Sequence, residues 1–77
     1  MDAYEQARAL LNAVIAAYSG RISTAPSPEA ARALREERAP LLAERDALTA
    51  DDRIRIAEII REMPARLARV REGDAGE

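Results

Sequence analysis

The chain contains no cysteine, histidine, lysine, tryptophan or phenylalanine. Each absence removes a class of chemistry. Without cysteine there is no disulfide, and without cysteine and histidine the usual ligands of a structural zinc site are gone. A serine or threonine nucleophile needs an activating base. Ser19, Ser23, Thr24 and Ser27 have neither histidine nor lysine to supply one. The 3 glycines form no phosphate-cradling loop. Glu58 and Glu62 lie one helical turn apart, but carboxylate-bridged metal sites in helical bundles add a Glu-x-x-His pattern, which this chain cannot make. The expectation is a protein that is not an enzyme and holds no cofactor and no metal. Long apolar runs are also missing. The longest uncharged run, Ala9 to Gly20, falls short of the ~20 apolar residues that span a bilayer. Asp2 and Glu5 stand where a secretory leader would be positive. The expectation is a soluble, cytoplasmic protein with no membrane association.

What is present is the alphabet of helices. Alanine, leucine, isoleucine, glutamate and arginine dominate. All 12 basic residues are arginine, against 14 acidic ones, for a net charge of −2. The 48% hydrophobic content is too high for a disordered chain, and 77 residues accommodate one small domain. A single core of this size rarely supplies more than roughly 3–5 kcal/mol. With no disulfide or zinc to add to it, association is the remaining route to further stability.

Three periodic segments predict an all-α fold, a small three-helix bundle. The first helix is expected over about 2–19. Tyr4, Ala7, Leu11, Val14 and Tyr18 follow alternating spacings of three and four, a heptad stripe widened by Leu10 and Ile15. Gly20 is placed to end it. Arg21 to Pro28 reads as a loop. Ser27, Pro28 and Glu29 then suit N-cap, N1 and N2 of a second helix over about 28–48. Its seam is Leu34, Leu41 and Leu48, bordered by Glu37 and Glu44 on one side and Arg38 and Arg45 on the other. Thr49 with Asp52 resembles a capping box for a third helix over about 50–71, striped by Ile56, Ile60, Met63, Leu67 and Val70. Pro40 and Pro64 interrupt patterns that continue in phase, which predicts kinks rather than breaks. The short link makes helices two and three an antiparallel hairpin, with helix one packed against it. Residues 1–72 form the single domain and 73–77 a flexible tail.

Two surfaces carry the functional expectation. Opposite the apolar stripe of helix one lie Ala9, Ala13 and Ala16, with Gln6 and Asn12 beside them, and no charge occurs between Arg8 and Arg21. A solvated helix face normally carries charge, so this strip predicts contact with a protein partner or a second copy. Alanine's helix propensity is the competing explanation. Helix three carries six arginines against Glu58 and Glu62 from Arg53 to Arg71, a local charge of +4. Arg55, Arg61, Arg66 and Arg69 are the candidate contacts for an anionic ligand. Spacings of three and four between glutamate and arginine equally describe a solvated, ion-paired face. No aromatic stands among those arginines to stack on a base, and Asp51 and Asp52 would meet phosphate at the front of a helix-turn-helix. The expected function is a non-catalytic helical module for protein–protein interaction or oligomerisation. The alternative is a nucleic-acid-associated accessory factor, a small regulator or toxin partner, using the arginines of helix three.

Overall fold

The computed structural model describes residues 1–73. It consists of three helices: α1 over Ala3–Ser23, α2 over Pro28–Ala47 and α3 over Arg53–Glu72. No strand occurs among the described residues, and no helix is long and apolar enough to cross a membrane. The flexible tail expected from residue 73 onward lies, apart from Gly73, outside the described residues.

Each helix start follows from local chemistry. Asp2 caps α1 by accepting from the Glu5 amide at 2.8 Å, while Glu5 accepts from the Asp2 amide at 3.3 Å, a reciprocal box that satisfies two otherwise orphaned donors. Ser27 caps α2 by accepting from the Ala30 amide at 3.1 Å, with Pro28 opening the helix. α2 and α3 both run through their internal prolines, Pro40 and Pro64, without dividing.

Two boundaries differ from the sequence reading. α1 does not stop at Gly20 but continues to Ser23. A glycine ends a helix by taking a left-handed conformation, and Gly20 does not have a positive φ. The Ser23 and Thr24 hydroxyls donate instead to the Gly20 carbonyl at 2.9 and 3.2 Å, and Pro26 follows. The second difference concerns α3, which begins at Arg53, with Asp52 rather than Thr49 in the N-cap position. Only half of the expected box forms. The Asp52 carboxylate accepts from the Thr49 amide at 2.9 Å, but the Thr49 hydroxyl also turns to that carboxylate. Residues 49–52 are thereby tied into a turn before the helix starts.

Gly73 supplies the left-handed end that Gly20 does not. At φ +77° it caps α3, its amide donating to the Arg69 and Val70 carbonyls. The Arg21 guanidinium of α1 lies 2.7 Å from where a Cβ at Gly73 would stand, and it donates to the Val70 carbonyl at 3.0 Å. A cation on the last carbonyls of a helix also complements its dipole, so Arg21 fastens the end of α1 to the end of α3.

The three helices are not equivalent. α1 packs against both α2 and α3, whereas no Cα of α2 comes within 8 Å of a Cα of α3. The order of contacts fixes direction. Tyr4 at the start of α1 donates to the Leu48 carbonyl just past α2, Tyr18 reaches Glu37, and Arg21 reaches Val70. α1 is therefore antiparallel to α2 and parallel to α3, and the expected antiparallel sense of α2 and α3 holds with α1 wedged against both. Ala7, Leu11, Val14, Ile15 and Tyr18 form the buried face of α1 and reach Leu41 and Leu48 of the α2 segment as well as Ile56, Ile59, Met63 and Val70 of α3. Leu11 and Ile59 are among the largest fully buried side chains.

The stripe of α3 is rotated from the sequence reading. Ile59, absent from the expected series, is fully buried, while Ile60 and Leu67 are only half-buried at the edge of the core. The apolar arc of α3 is thus wider than α1 covers.

Candidate interaction surface

The two seams that flank α1 have opposite character. On the α2 side, the Arg38 guanidinium donates to the Ser19 hydroxyl at 2.8 Å and Arg45 donates to the Asn12 carboxamide at 3.2 Å. The arginine border of the leucine seam thus closes against polar groups of α1. On the α3 side, the rim is made by Leu10 and Ala17 of α1 and Ile60 and Leu67 of α3, all half-buried and packed on the core.

At the N-terminal ends of α1 and α3 this apolar rim opens into a groove of about 560 Å³, lined by Asp2, Ala3, Tyr4, Ala50, Arg53, Ile56, Ala57 and Ile60. Ile56, Ile60, Ala57 and Tyr4 supply an apolar floor, and Asp2 and Arg53 are its charged lining. Beside it, Ile54 projects from the first turn of α3 at 79% exposure. The sequence did contain a signal for this. Ile54 is the isoleucine that falls off the α3 stripe, and Ile56, Ile59 and Ile60 together overfill a narrow seam.

The expected partner strip falls as follows. Gln6, Ala9, Asn12 and Ala16 are exposed and Ala13 is half-buried. Asn12 is turned toward α2 by its bond from Arg45, so Gln6, Ala9, Ala13 and Ala16 remain as the open strip, adjoining the α3 rim through Leu10 and Ala17.

The arginines of α3 do not form one patch. Arg55 lies between α2 and α3, where its guanidinium grips the Glu44 carboxylate through two nitrogens, with Nη2 to Oε1 at 2.7 Å. Its third arm donates to Glu58 at 3.1 Å, and Glu62 stands 3.7 Å away. Glu58 and Glu62, considered above as a metal pair, thus both turn to Arg55. Among the described residues no three acidic side chains gather where a metal could sit. Arg66 donates to the Tyr18 hydroxyl at 3.0 Å, with its guanidinium carbon 5.5 Å from the ring centroid. Arg61 and Arg69 are exposed, Arg61 at 3.6 Å from Glu62.

These contacts make the join between α2 and α3 polar. The glutamate border of the leucine seam faces α3. Glu44 meets Arg55 directly, and Glu37 accepts from the Tyr18 hydroxyl at 3.0 Å while that hydroxyl accepts from Arg66. The forked bond from Arg55 holds the Glu44 carboxyl below its ordinary value of 4.5 against the opposing effect of burial, and Glu44 and Glu58 push Arg55 up in turn. A depressed carboxyl stabilises the fold above its unfolded pKa, and that contribution is lost as pH falls through the folded value. Glu44→Gln is therefore expected to lower stability by about 0.5–1 kcal/mol at neutral pH, the range for a solvent-screened pair. The gap between wild type and variant should close as pH falls below about 4.5. Melting curves of both at neutral and acid pH check this, and a gap that persists at acid pH would assign the pair no role.

Compared with known proteins, the chain matches no family model, no curated protein and no solved structure.

Proposed function

We propose that this chain is a non-catalytic helical interaction module that binds a protein partner or its own copy through the outer side of α1 and the adjoining rim of α3. The observation that carries this reading is the asymmetry of the two α1 seams. One is closed by hydrogen bonds from Arg38 and Arg45. The other presents Leu10, Ala17, Ile60 and Leu67 beside the uncharged strip of Gln6, Ala9, Ala13 and Ala16. Apolar surface left beside a small core is the kind of surface that association buries. The nucleic-acid reading has less support, because Arg55 and Arg66 are engaged with Glu44, Glu58 and Tyr18.

Ala16 is the position for the test, since it is exposed and arginine suits a solvated helix. Ala16→Arg is expected to leave the circular dichroism spectrum and melt unchanged. In affinity capture from the native host it should lose the partner that wild type retains, because an interface would bury an unpaired charge. Identical capture by both proteins would overturn the reading of this strip.

A further inference from the structure

We infer that the groove at the N-terminal ends of α1 and α3 receives a cationic amphipathic helix of another protein. Its apolar side chains lie on the groove floor and against Ile54, and its arginines or lysines stand among Asp2, Asp51 and Asp52. This rests on the interaction-module reading and deepens it by naming the chemistry of one partner.

The apolar half of the contact is continuous. The groove, at about 560 Å³, is lined by Ile56, Ala57, Ile60 and Tyr4. Ile56 belongs to the core and Ile60 packs against it, so the floor is preformed. Ile54 stands beside it at 79% exposure. At about 100° per residue, Ala57 falls between Ile60 and Ile54 on the surface of α3. Floor, Ala57 and Ile54 therefore make one apolar arc. Ile54 lies opposite the buried Ile56 and Ile59, so no rotation of α3 buries it without exposing them. The rim of Leu10, Ala17, Ile60 and Leu67 leads away from the groove along the bundle. A groove that continues along two helices suits the apolar stripe of a further helix better than a single inserted side chain.

Charge selects which helix. The groove and the hollow beside it are lined by Asp2, Asp51, Asp52 and Glu58 against Arg53 and Arg55. The whole chain has 14 acidic and 12 basic residues, so the two signs balance elsewhere and the net negative charge of the protein resides here. Arg55 is already committed to Glu44 and Glu58. What faces solvent is then Asp2, Asp51 and Asp52 around Arg53, all exposed. Part of the charge on Asp2 and Asp52 answers the dipoles of the helices they begin, whereas Asp51 caps neither helix.

This patch does not complement itself. A second copy would set carboxylate against carboxylate, and an acidic partner or a nucleic acid would meet the same repulsion. A cationic amphipathic helix satisfies both halves at once. Its apolar stripe covers the arc, and its charges pair with the carboxylates at the solvated rim, where complementary charge sets specificity and the rate of encounter.

Fluorescence anisotropy of a labelled peptide of leucine, alanine and arginine, about 15 residues long with leucine at helical spacing, titrated with the full chain, tests the inference. Binding is expected with a dissociation constant between about 1 and 100 µM at low salt, weakening about fivefold at ~300 mM salt. The same peptide with glutamate for every arginine, or with alanine for every leucine, should bind at least about tenfold more weakly. Ala57→Trp, which fills the groove, should weaken the first peptide by about tenfold or more. Asp51→Arg should weaken it severalfold and flatten its salt dependence. Both positions are exposed, so melts of the two variants should match wild type, which separates lost binding from lost folding. No binding up to about 1 mM, equal affinity for the glutamate peptide, or an affinity unmoved by Ala57→Trp would overturn the inference. A dimer of the chain alone that Ala57→Trp dissolves would also overturn it, because the occupant would then be a second copy. A peptide that fails to bind while Ala16→Arg still loses its captured partner would overturn the inference and leave the interaction-module reading in place. Groove-dependent binding of the peptide alongside identical capture by wild type and Ala16→Arg would support the inference and count against the α1 strip alone.

Discussion

Replacing Leu11 with alanine is expected to abolish the cooperative melt. Leu11 has 0% exposure and sits on the one helix that touches both of the others. Removing a buried leucine side chain costs about 2–5 kcal/mol, the lost transfer energy plus the cavity left behind. A single core of this length rarely supplies more than roughly 3–5 kcal/mol in all. The two magnitudes overlap, so the variant should lose most or all of its net stability. Leu41→Ala on the α2 seam should fall in the same range of about 2–5 kcal/mol, since Leu41 is 3% exposed. Urea titrations followed by helical circular dichroism measure both. An exposed control, Ile54→Ala, should shift monomer stability by less than about 0.5 kcal/mol. A Leu11→Ala protein that unfolds at the wild-type midpoint would mean that α1 is not the central element.

The second large effect is expected at Tyr18. Its ring is buried in the core while its hydroxyl sits between the carboxylate of Glu37 and the guanidinium of Arg66. That hydroxyl joins α2 to α3 where their backbones do not meet. Hydrogen bonds to charged groups contribute about 1.5–3 kcal/mol. Glu37 belongs to the exposed residues and can recover water when the bond is lost, which places Tyr18→Phe at the lower end, near 1.5 kcal/mol. A double-mutant cycle with Glu37→Ala isolates the pair. Additive losses in that cycle would remove the bridge from the account.

Much of the architecture is legible in the sequence because it is written in local spacing. The series Tyr4, Ala7, Leu11, Val14 and Tyr18 admits a single helical face, and Ala7 through Tyr18 are buried on it as that spacing requires. Ser27 followed by Pro28 is a start signal that needs no tertiary context, and α2 begins there. Gly20 misleads because a glycine can end a helix but need not, and here the Ser23 and Thr24 hydroxyls end it three residues later. The α3 stripe misleads for a different reason. Ile56, Ile59 and Ile60 satisfy both a three-residue and a four-residue step, and only the position of α1 selects Ile59 for the core.

The candidate site is less legible for a physical reason. The strip of Gln6, Ala9, Ala13 and Ala16 can be read from one helix alone. The groove beside it is built from Tyr4 and Ile56 or Ile60, residues more than fifty positions apart in the chain. The polar join of α2 and α3 is likewise made by pairs separated by 11, 19 and 48 positions. The bordering of the leucine seam by glutamate on one side and arginine on the other is visible in the sequence, but which border meets which helix is settled by packing.

The central claim is that the open face of α1 and α3 is an interface and the remainder of the surface is not. Arginine substitutions at exposed alanines on that face, Ala9→Arg and Ala16→Arg, and on α2, Ala43→Arg, compared by light-scattering mass across a concentration series and by partner capture, test it most directly. The account predicts that association or capture is lost in Ala9→Arg and Ala16→Arg and retained in Ala43→Arg. Retention of association and capture in both α1 variants, or their loss in Ala43→Arg alone, would contradict it.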